Sequence, residues 1–390
     1  MFKKSNILIF LNTYLPGYKC GGPIQAISNL VDALYDYFDF YIVTRDRDSY
    51  KETVPYENVR CGVWEKVGHA YVRYLSPKEC NVFVYRRIIN STDFDLLYLQ
   101  SFWNVKFSLS PLLALSFSKK RNIPVLLHPR GEFFLGALSQ KKLKKKIMLF
   151  LWRLSGLYKK ISFNVSTEEE KKVLIKVFPK ISCGRIYFAL DFPRRYKCFT
   201  PELPKNDILR LIFLSRINPH KNLLLLIHEL IDLKINVKLD IYGPLSDPTY
   251  WDYCKKIILK APKHINIKYC GVVLHENVQN VLKAYDIFCL LTKGENFGYA
   301  IHEALSAGLP VIISDQTLWH DVSKYNAGWE ISLDKSNMFK EKVMEYYHMN
   351  KDERLDMRRG AIQYAIDMSK NSKIFEDNLN MFKNILAVVK

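Results

Sequence analysis

The stretch 294-GENFGYAIHEALSAGLPVIISD-315 sets two glutamates, Glu295 and Glu303, eight residues apart, with a glycine-containing turn between them and a buried strand, PVIIS, after them. Its order is loop, helix, strand. A loop that enters a helix N-terminus presents backbone N–H groups, here those of Asn296, Phe297, Gly298 and Tyr299, which suit sugar hydroxyls and phosphate oxygens. Gly298 permits close approach of the backbone. A carboxylate is the natural acceptor for vicinal hydroxyls. An arbitrary helix can also carry two glutamates at this spacing, one as partner of the N-terminal dipole and one as solvated surface, so the surroundings must decide.

Upstream, short apolar runs alternate with amphipathic stretches. Strands are expected near 237–242, 265–270, 286–291 and 310–313, with helices beginning near Asn222, Thr249, Glu276 and Phe297; the series opens on the strand LRLIFLS, which ends at Ser215. The first half has the same rhythm, with strands at about 7–11, 40–44, 96–99, 124–128 and 161–165 and helix-period segments near 23–37, 108–120, 139–158 and 167–177. That alternation implies two α/β halves, each a parallel sheet wrapped by helices. Between them, 188-FALDFPRRYKCFTPELPKND-207 is rich in proline and charge and lacks periodicity. The expected domains are 1–193 and 194–370, with a helix in 371–390 that crosses back to the first. In that last segment 375-FEDNLNMFKNIL-386 places Phe375, Leu379, Phe382 and Leu386 on one face. Open parallel sheets bind ligands at the carboxyl ends of their strands, so the chemistry should lie in strand-to-helix loops.

The loop after the strand ending at Ser215, within 212-IFLSRINPHKNLLLLIHEL-230, holds Arg216 and Lys221, with Asn222 as a helix cap. Two fixed cations at a helix N-terminus suit a ligand on which negative charge develops. A solvated basic loop is the bland alternative; position at the end of a domain's first strand favours the sharper one. In 18-YKCGGPIQAISNLVDAL-34, Gly21 and Gly22 precede Pro23, which suits the first turn of a helix with Ile24, Ile27, Leu30, Val31 and Leu34 on its apolar face. His128 and Arg130 lie in 123-IPVLLHPRGEFFLGALSQKKLKKKI-147, where His128 ends a buried strand and could equally be a satisfied core histidine. Gly243 follows a strand in 239-LDIYGP-244, and Gly271 and Val272 form a turn in 269-YCGVVLHENV-278.

Taken in order, these motifs resemble the family 4 retaining glycosyltransferases (glycosyl transferases group 1). Glu295 and Glu303 match the E-x7-E signature, Arg216 and Lys221 the R-x4-K diphosphate clamp, and Gly21-Gly22 the N-terminal Gly-Gly loop. The segment at 123–147 resembles the P-[HR]-G stretch of lipopolysaccharide and capsule transferases. There Arg130 holds the place that is a histidine in many relatives, and 186-IYFALDFP-193 carries Ala189 and Leu190 where relatives have Asn-Gly. The resemblance implies a GT-B fold: two Rossmann-like parallel-sheet domains facing each other across a cleft, with a C-terminal helical segment. It implies an acceptor-binding first domain and a nucleotide-sugar-binding second one. Glu303 would take the donor ribose, Glu295 the sugar ring, and the loop around Gly271 and Val272 the base. The implied reaction is retaining transfer of a sugar from a nucleotide diphosphate-sugar, a co-substrate, to a glycan or lipid-linked oligosaccharide in bacterial surface polysaccharide synthesis, with no cofactor and no metal.

Composition narrows the partners. At 390 residues, 48% hydrophobic and 25% charged, the chain is long enough for two cores. The formal net charge of +19 favours polyanions or anionic surfaces. Eight cysteines without a CxxC pair suggest neither a zinc site nor a disulfide framework, and fit a reducing cytoplasm. After Met1 and its lysines, five consecutive apolar residues are too few for a signal-peptide core or a membrane span. A competing enzyme reading is a single-domain GT-A transferase holding a divalent metal on Asp46 and Asp48. A non-catalytic reading is charge-driven binding to nucleic acid or membrane; no nucleic-acid motif accompanies it, so an anionic membrane surface is the expected partner. The segment 141-KKLKKKIMLFLWRLSGLYKK-160 joins Lys141, Lys142, Lys144, Lys145 and Lys146 to an apolar run with Trp152 and Tyr158. Such a segment can lie in a membrane interface, giving peripheral attachment on the cytoplasmic face.

Overall fold

The computed structural model describes residues 4–19, 21–49, 52–133, 148–149, 152–153, 156–194, 196, 200–203, 208–335 and 337–387. The chain forms two compact units, Met1–Phe192 with Ser372–Lys390, and Pro193–Asn371.

In the first unit the described strands are β1 (Ser5–Phe10), β2 (Phe38–Arg45), β3 (Trp64–Val67), β4 (Ala70–Leu75), β5 (Leu96–Gln100), β6 (Val125–His128), β7 (Ile161–Val165) and β8 (Ile186–Phe188). They make one sheet in the order β3-β4-β2-β1-β5-β6-β7-β8, parallel except for the β3/β4 pair. Ile7, Leu8, Ile9 and Phe10 are all fully buried, because a parallel strand covered on both faces needs a continuous apolar run, not an alternating one. Helices α1 (Gly22–Leu34), α2 (Val82–Ser91), α3 (Ser110–Ser116) and α4 (Glu168–Val177) belong to this unit. The α4 N-terminus is fixed by Thr167, whose hydroxyl accepts from the Glu170 amide, and by three glutamates in the first turn that complement the helix dipole.

In the second unit β9 (Leu209–Leu214), β10 (Val237–Tyr242), β11 (Ile265–Gly271), β12 (Ile287–Leu290), β13 (Val311–Ser314) and β14 (Gly328–Ile331) form a wholly parallel sheet in the order β11-β10-β9-β12-β13-β14. The chain runs outward from β9 through β10 and β11, then returns to place β12 on the other side of β9. That reversal is a topological switch point, where an open α/β sheet leaves a crevice beyond its strand ends. Helices α5 (Leu223–Ile231), α6 (Pro248–Ile258), α7 (Val278–Leu282), α8 (Tyr299–Ser306), α9 (Met338–His348) and α10 (Lys351–Ser369) complete the unit.

The last helix, α11 (Ser372–Ala387), packs on the first unit: Phe382 meets Phe38 at 5.4 Å and Tyr98 at 5.6 Å between ring centroids. Its buried face is Ile374, Asn378, Met381, Phe382 and Ile385, rotated from the Phe375/Leu379/Phe382/Leu386 stripe that periodicity suggests. The polar Asn378 can turn inward because its amide donates to the carbonyls of Leu190 and Ile374, both at 2.8 Å. No helix among the described residues is long and apolar enough to cross a membrane.

Candidate active site

The carboxyl ends of β9 and β12, neighbours at the switch point, carry the loops 215–222 and 291–298. Three hydrogen bonds stitch these loops together. The Lys293 amide and the Thr292 hydroxyl donate to the His220 carbonyl at 2.9 and 3.3 Å, and His220 Nε2 meets the Gly294 carbonyl at 2.8 Å. Burial, then the Lys221 cation, hold the His220 ring below its usual pKa, so it is neutral and its Nε2 carries the donated proton. The stitching sets the Lys221 ammonium directly against the Glu295 carboxylate. Lys221 is buried and its amide is held by the Asn218 side chain at 3.1 Å. A lysine so confined is an ordered cation, not a solvated one.

The turn from Glu295 into α8 rests on Trp319, a fully buried side chain whose Nε1 donates to the Phe297 carbonyl at 2.7 Å. Gly298 has φ 81°, and a Cβ there would stand 3.0 Å from Ile301 and 3.1 Å from Trp319 Nε1. Glycine meets both the backbone conformation and the tight space. One turn into α8, Glu303 is buried, with Oε1 3.3 Å from His275 Nδ1 and 3.4 Å from the Tyr196 hydroxyl. Gly243 lets the β10 loop meet the β9 loop: at φ 138° it lies where a Cβ would be 1.9 Å from the Ser215 carbonyl. Its amide donates to the Gly271 carbonyl at 2.8 Å, and Tyr269 donates to its carbonyl at 3.0 Å. Arg216 is exposed, without an ion-pair partner among the described residues, and Val272 is exposed beyond β11.

Residues 199–366, which include all of these loops but not Tyr196, match the family model described as glycosyl transferases group 1. The second unit carries a group 1 glycosyltransferase domain. Over 155 residues, 39% of this chain, the sequence is 27% identical to the GtfA subunit of the UDP-N-acetylglucosamine–peptide N-acetylglucosaminyltransferase of Streptococcus agalactiae. The match spans 29% of that curated relative's length. HepE of Anabaena, solved in complex with UDP and glucose, is similar over 97% of this chain and 100% of its own, at 14% identity and TM-score 0.68. Sucrose-phosphate synthase of Thermosynechococcus elongatus is similar over 99% of this chain and 100% of its own, at 14% identity and TM-score 0.72. These likenesses establish the scaffold as GT-B.

The glycosyltransferase domain holds Arg216, Lys221, Gly243, Val272, Glu295, Asn296, Phe297, Gly298, Tyr299 and Glu303 at strand carboxyl ends or the helix entries that follow them. Lys221 and Glu295 touch, and among the described residues no hydrogen bond or ion pair joins Arg216 or Val272 to either. The other residues singled out from sequence lie in the first unit. Gly21, with φ 58° and open space where a Cβ would stand, and Gly22 begin α1, and the turn before them is held by Asp48, which accepts from the Tyr18 and Lys19 amides at 3.5 and 3.3 Å. Asp46 is buried and pairs with Arg47 at 2.7 Å. Both carboxylates of the proposed D-x-D are therefore engaged, Asp46 with Arg47 of its own loop and Asp48 with the turn before α1, and no group of three or more potential metal ligands occurs among the described residues.

Of the two readings the sequence leaves open for His128, the geometry around the ring favours the satisfied core histidine. The ring is wholly buried, with Nε2 3.2 Å from the Ser166 hydroxyl and Nδ1 3.4 Å from Tyr98 and from Asn164. Burial, reinforced by Arg130, pushes its pKa down to about 3. The ring is neutral and enclosed by side chains of the first unit. Arg130, at φ 54°, directs Nε to Gln100 at 2.7 Å and its guanidinium to Asp191 at 2.8 Å, so it is a braced cation at the end of β6. Beside it, Glu170 accepts from the Gly131 and Ser166 amides at 2.8 and 3.0 Å, and burial pushes its pKa up to about 7.

Lys141, Lys142, Lys144, Lys145 and Lys146 lie outside the described residues. Of the aromatics in that segment, Trp152 is buried against Phe102 at 4.6 Å and Tyr158 stacks on Phe178 at 4.7 Å. Both rings belong to the core of the first unit. Sequence reasoning passed over His220, His275, Tyr196, Trp319, Asp191 and Glu170. Asp191 could have been found from Arg130, a half-buried cation at a strand end that needs an acid; the others act through distant residues and leave no local pattern.

Proposed function

We propose that this chain is a retaining glycosyltransferase that moves a sugar from a nucleoside diphosphate donor to a glycan or lipid-linked acceptor. The observation that carries the reading is the ion pair between the buried Lys221 and the half-buried Glu295 at the switch point of a group 1 glycosyltransferase domain. In this scheme Lys221, with Arg216, stabilises the negative charge on the departing diphosphate, worth about 3 kcal/mol of barrier for one well-placed donor. Glu295 keeps the lysine ordered and receives sugar hydroxyls, while Glu303 accepts the ribose hydroxyls. The anomeric carbon loses its bond to the diphosphate and gains one to the acceptor oxygen on the same face, and the acceptor proton leaves with the diphosphate. Protein cations do the work that a metal does in other transferases, so no cofactor is needed.

Uridine donors are the first to test, supported by the UDP in HepE and by the UDP-N-acetylglucosamine in the name of the Streptococcus relative. The surface-polysaccharide role and peripheral attachment to a cytoplasmic membrane face rest on the resemblance of 123–147 and on a basic surplus that lies mostly in the first unit. The decisive experiment screens nucleotide sugars for turnover and then compares wild type with Lys221→Ala. Loss of roughly a hundredfold or more in kcat/KM with an unchanged melting profile is expected. Near-normal transfer by a folded variant would reject the assignment.

A further inference from the structure

Glu303 does not stand alone. Its Oε1 lies 3.3 Å from His275 Nδ1, and the other ring nitrogen of His275 is hydrogen-bonded to the Arg194 guanidinium. An arginine can only donate, so Nε2 is the acceptor and the ring proton sits on Nδ1, the nitrogen that lies 3.3 Å from the Glu303 carboxylate. Burial, and then the neighbouring Arg194, push the His275 pKa down to about 4, which keeps that tautomer in place at neutral pH. The result is a directed chain, Arg194 to His275 to Glu303, from the start of the second unit to helix α8. His275 enters from the β11 loop, Glu303 from α8, and the Gln279 side chain fastens α7 to α8 through the Glu303 carbonyl at 3.0 Å.

We propose that His275 is a positioning residue for the donor site: its Nδ1–H holds the Glu303 carboxylate in the one orientation that receives the nucleotide's ribose. The inference rests on the reading of Glu303 as the ribose acceptor and extends it to a residue for which no role follows from the signature motifs. A carboxylate on a buried helix face has several rotamers, and a fixed donor on one oxygen selects among them and aims the second oxygen. Binding that persists through the reaction should be affected, so the donor KM rises while kcat changes little.

The test uses the full chain and calorimetric titration with UDP, GDP and ADP, followed by the 2′-deoxy analogue of whichever binds. Relative to wild type, Glu303→Ala should lose measurable binding. His275→Ala should weaken binding roughly tenfold, the effect of removing a hydrogen bond to a charged group. His275→Asn, which places an amide N–H near the Nδ1 position, should stay within about threefold. With the 2′-deoxy nucleotide, the His275→Ala effect should shrink to less than about twofold, because both perturbations act on the same hydrogen-bond chain. If His275→Ala binds like wild type while Glu303→Ala does not, the inference falls and the reading of Glu303 stands. An equal His275→Ala effect on the ribo- and deoxyribonucleotide also overturns it, as a merely structural role. If Glu303→Ala binds normally, or no diphosphate binds the wild type, both fall.

Discussion

His128 provides a quantitative check on the first unit. Its pKa falls from an ordinary 6.5 to about 3 on folding, so the native state resists a proton that the unfolded chain accepts. A group with a depressed folded pKa contributes stability that is complete above its unfolded pKa and is lost as pH falls toward the folded one. The full shift corresponds to about 5 kcal/mol, lost across pH 6.5 to 3. Between pH 7 and pH 5 the unfolded imidazole goes from mostly neutral to almost fully protonated while the native ring stays neutral, which removes about 2 kcal/mol. His128→Gln keeps a polar group near Ser166 and removes the titration. Urea unfolding of wild type and variant at both pH values isolates the effect, because contributions from other groups cancel in the difference between the two proteins. Wild type should lose about 2 kcal/mol more than the variant on going from pH 7 to pH 5. An equal pH dependence, within about 0.5 kcal/mol, would mean that the ring is hydrated or charged in the native state, as an acid–base group facing a ligand would be, and would refute the core assignment.

Gly243→Ala forces a Cβ against the Ser215 carbonyl and should destabilise the second unit by roughly 2 kcal/mol or more, read as a lowered urea midpoint; unchanged stability would mean that the β9 and β10 loops are not in this contact. Transfer activity should survive EDTA, since Lys221 and Arg216 supply the positive charge; complete loss restored by Mn²⁺ would point to a metal on the diphosphate instead. Changing Lys141, Lys142, Lys144, Lys145 and Lys146 to Gln should abolish salt-sensitive flotation with anionic vesicles and leave binding to neutral ones unchanged. Equal binding of wild type and variant to anionic vesicles would remove the lysine run from any role at membranes.

The sequence was most legible where burial is two-sided. Runs such as ILIF in β1 and VIIS in β13 can be little else than central parallel strands, and the loops that follow them inherit their position from the sheet. Lys221 and Glu295 could be found that way, since each is counted from the end of a strand. The region 45–95 was opaque because β3 is four residues long and antiparallel, and β4, AYVRYL, alternates like any half-exposed segment. His128 could not be resolved from sequence: a histidine ending a buried strand looks the same whether it faces solvent or Ser166. Trp152 and Tyr158 are ambiguous for a related reason, as an aromatic beside lysines fits an interfacial helix and a core helix with a basic rim alike. His275 left no trace at all, because its meaning depends on a contact with a helix beginning 24 residues later.

The placement of α11 has a consequence for how this protein is made. Phe382 completes the packing around Phe38 and Tyr98, yet it leaves the ribosome only after every residue of the second unit has been added. A nascent first unit therefore carries an open apolar seam throughout the synthesis of its neighbour, whereas the second unit, one contiguous stretch, can close as soon as it emerges. The domain translated first is finished last, and a premature stop codon a few residues into α11 would injure the half of the molecule whose own coding sequence seemed long complete.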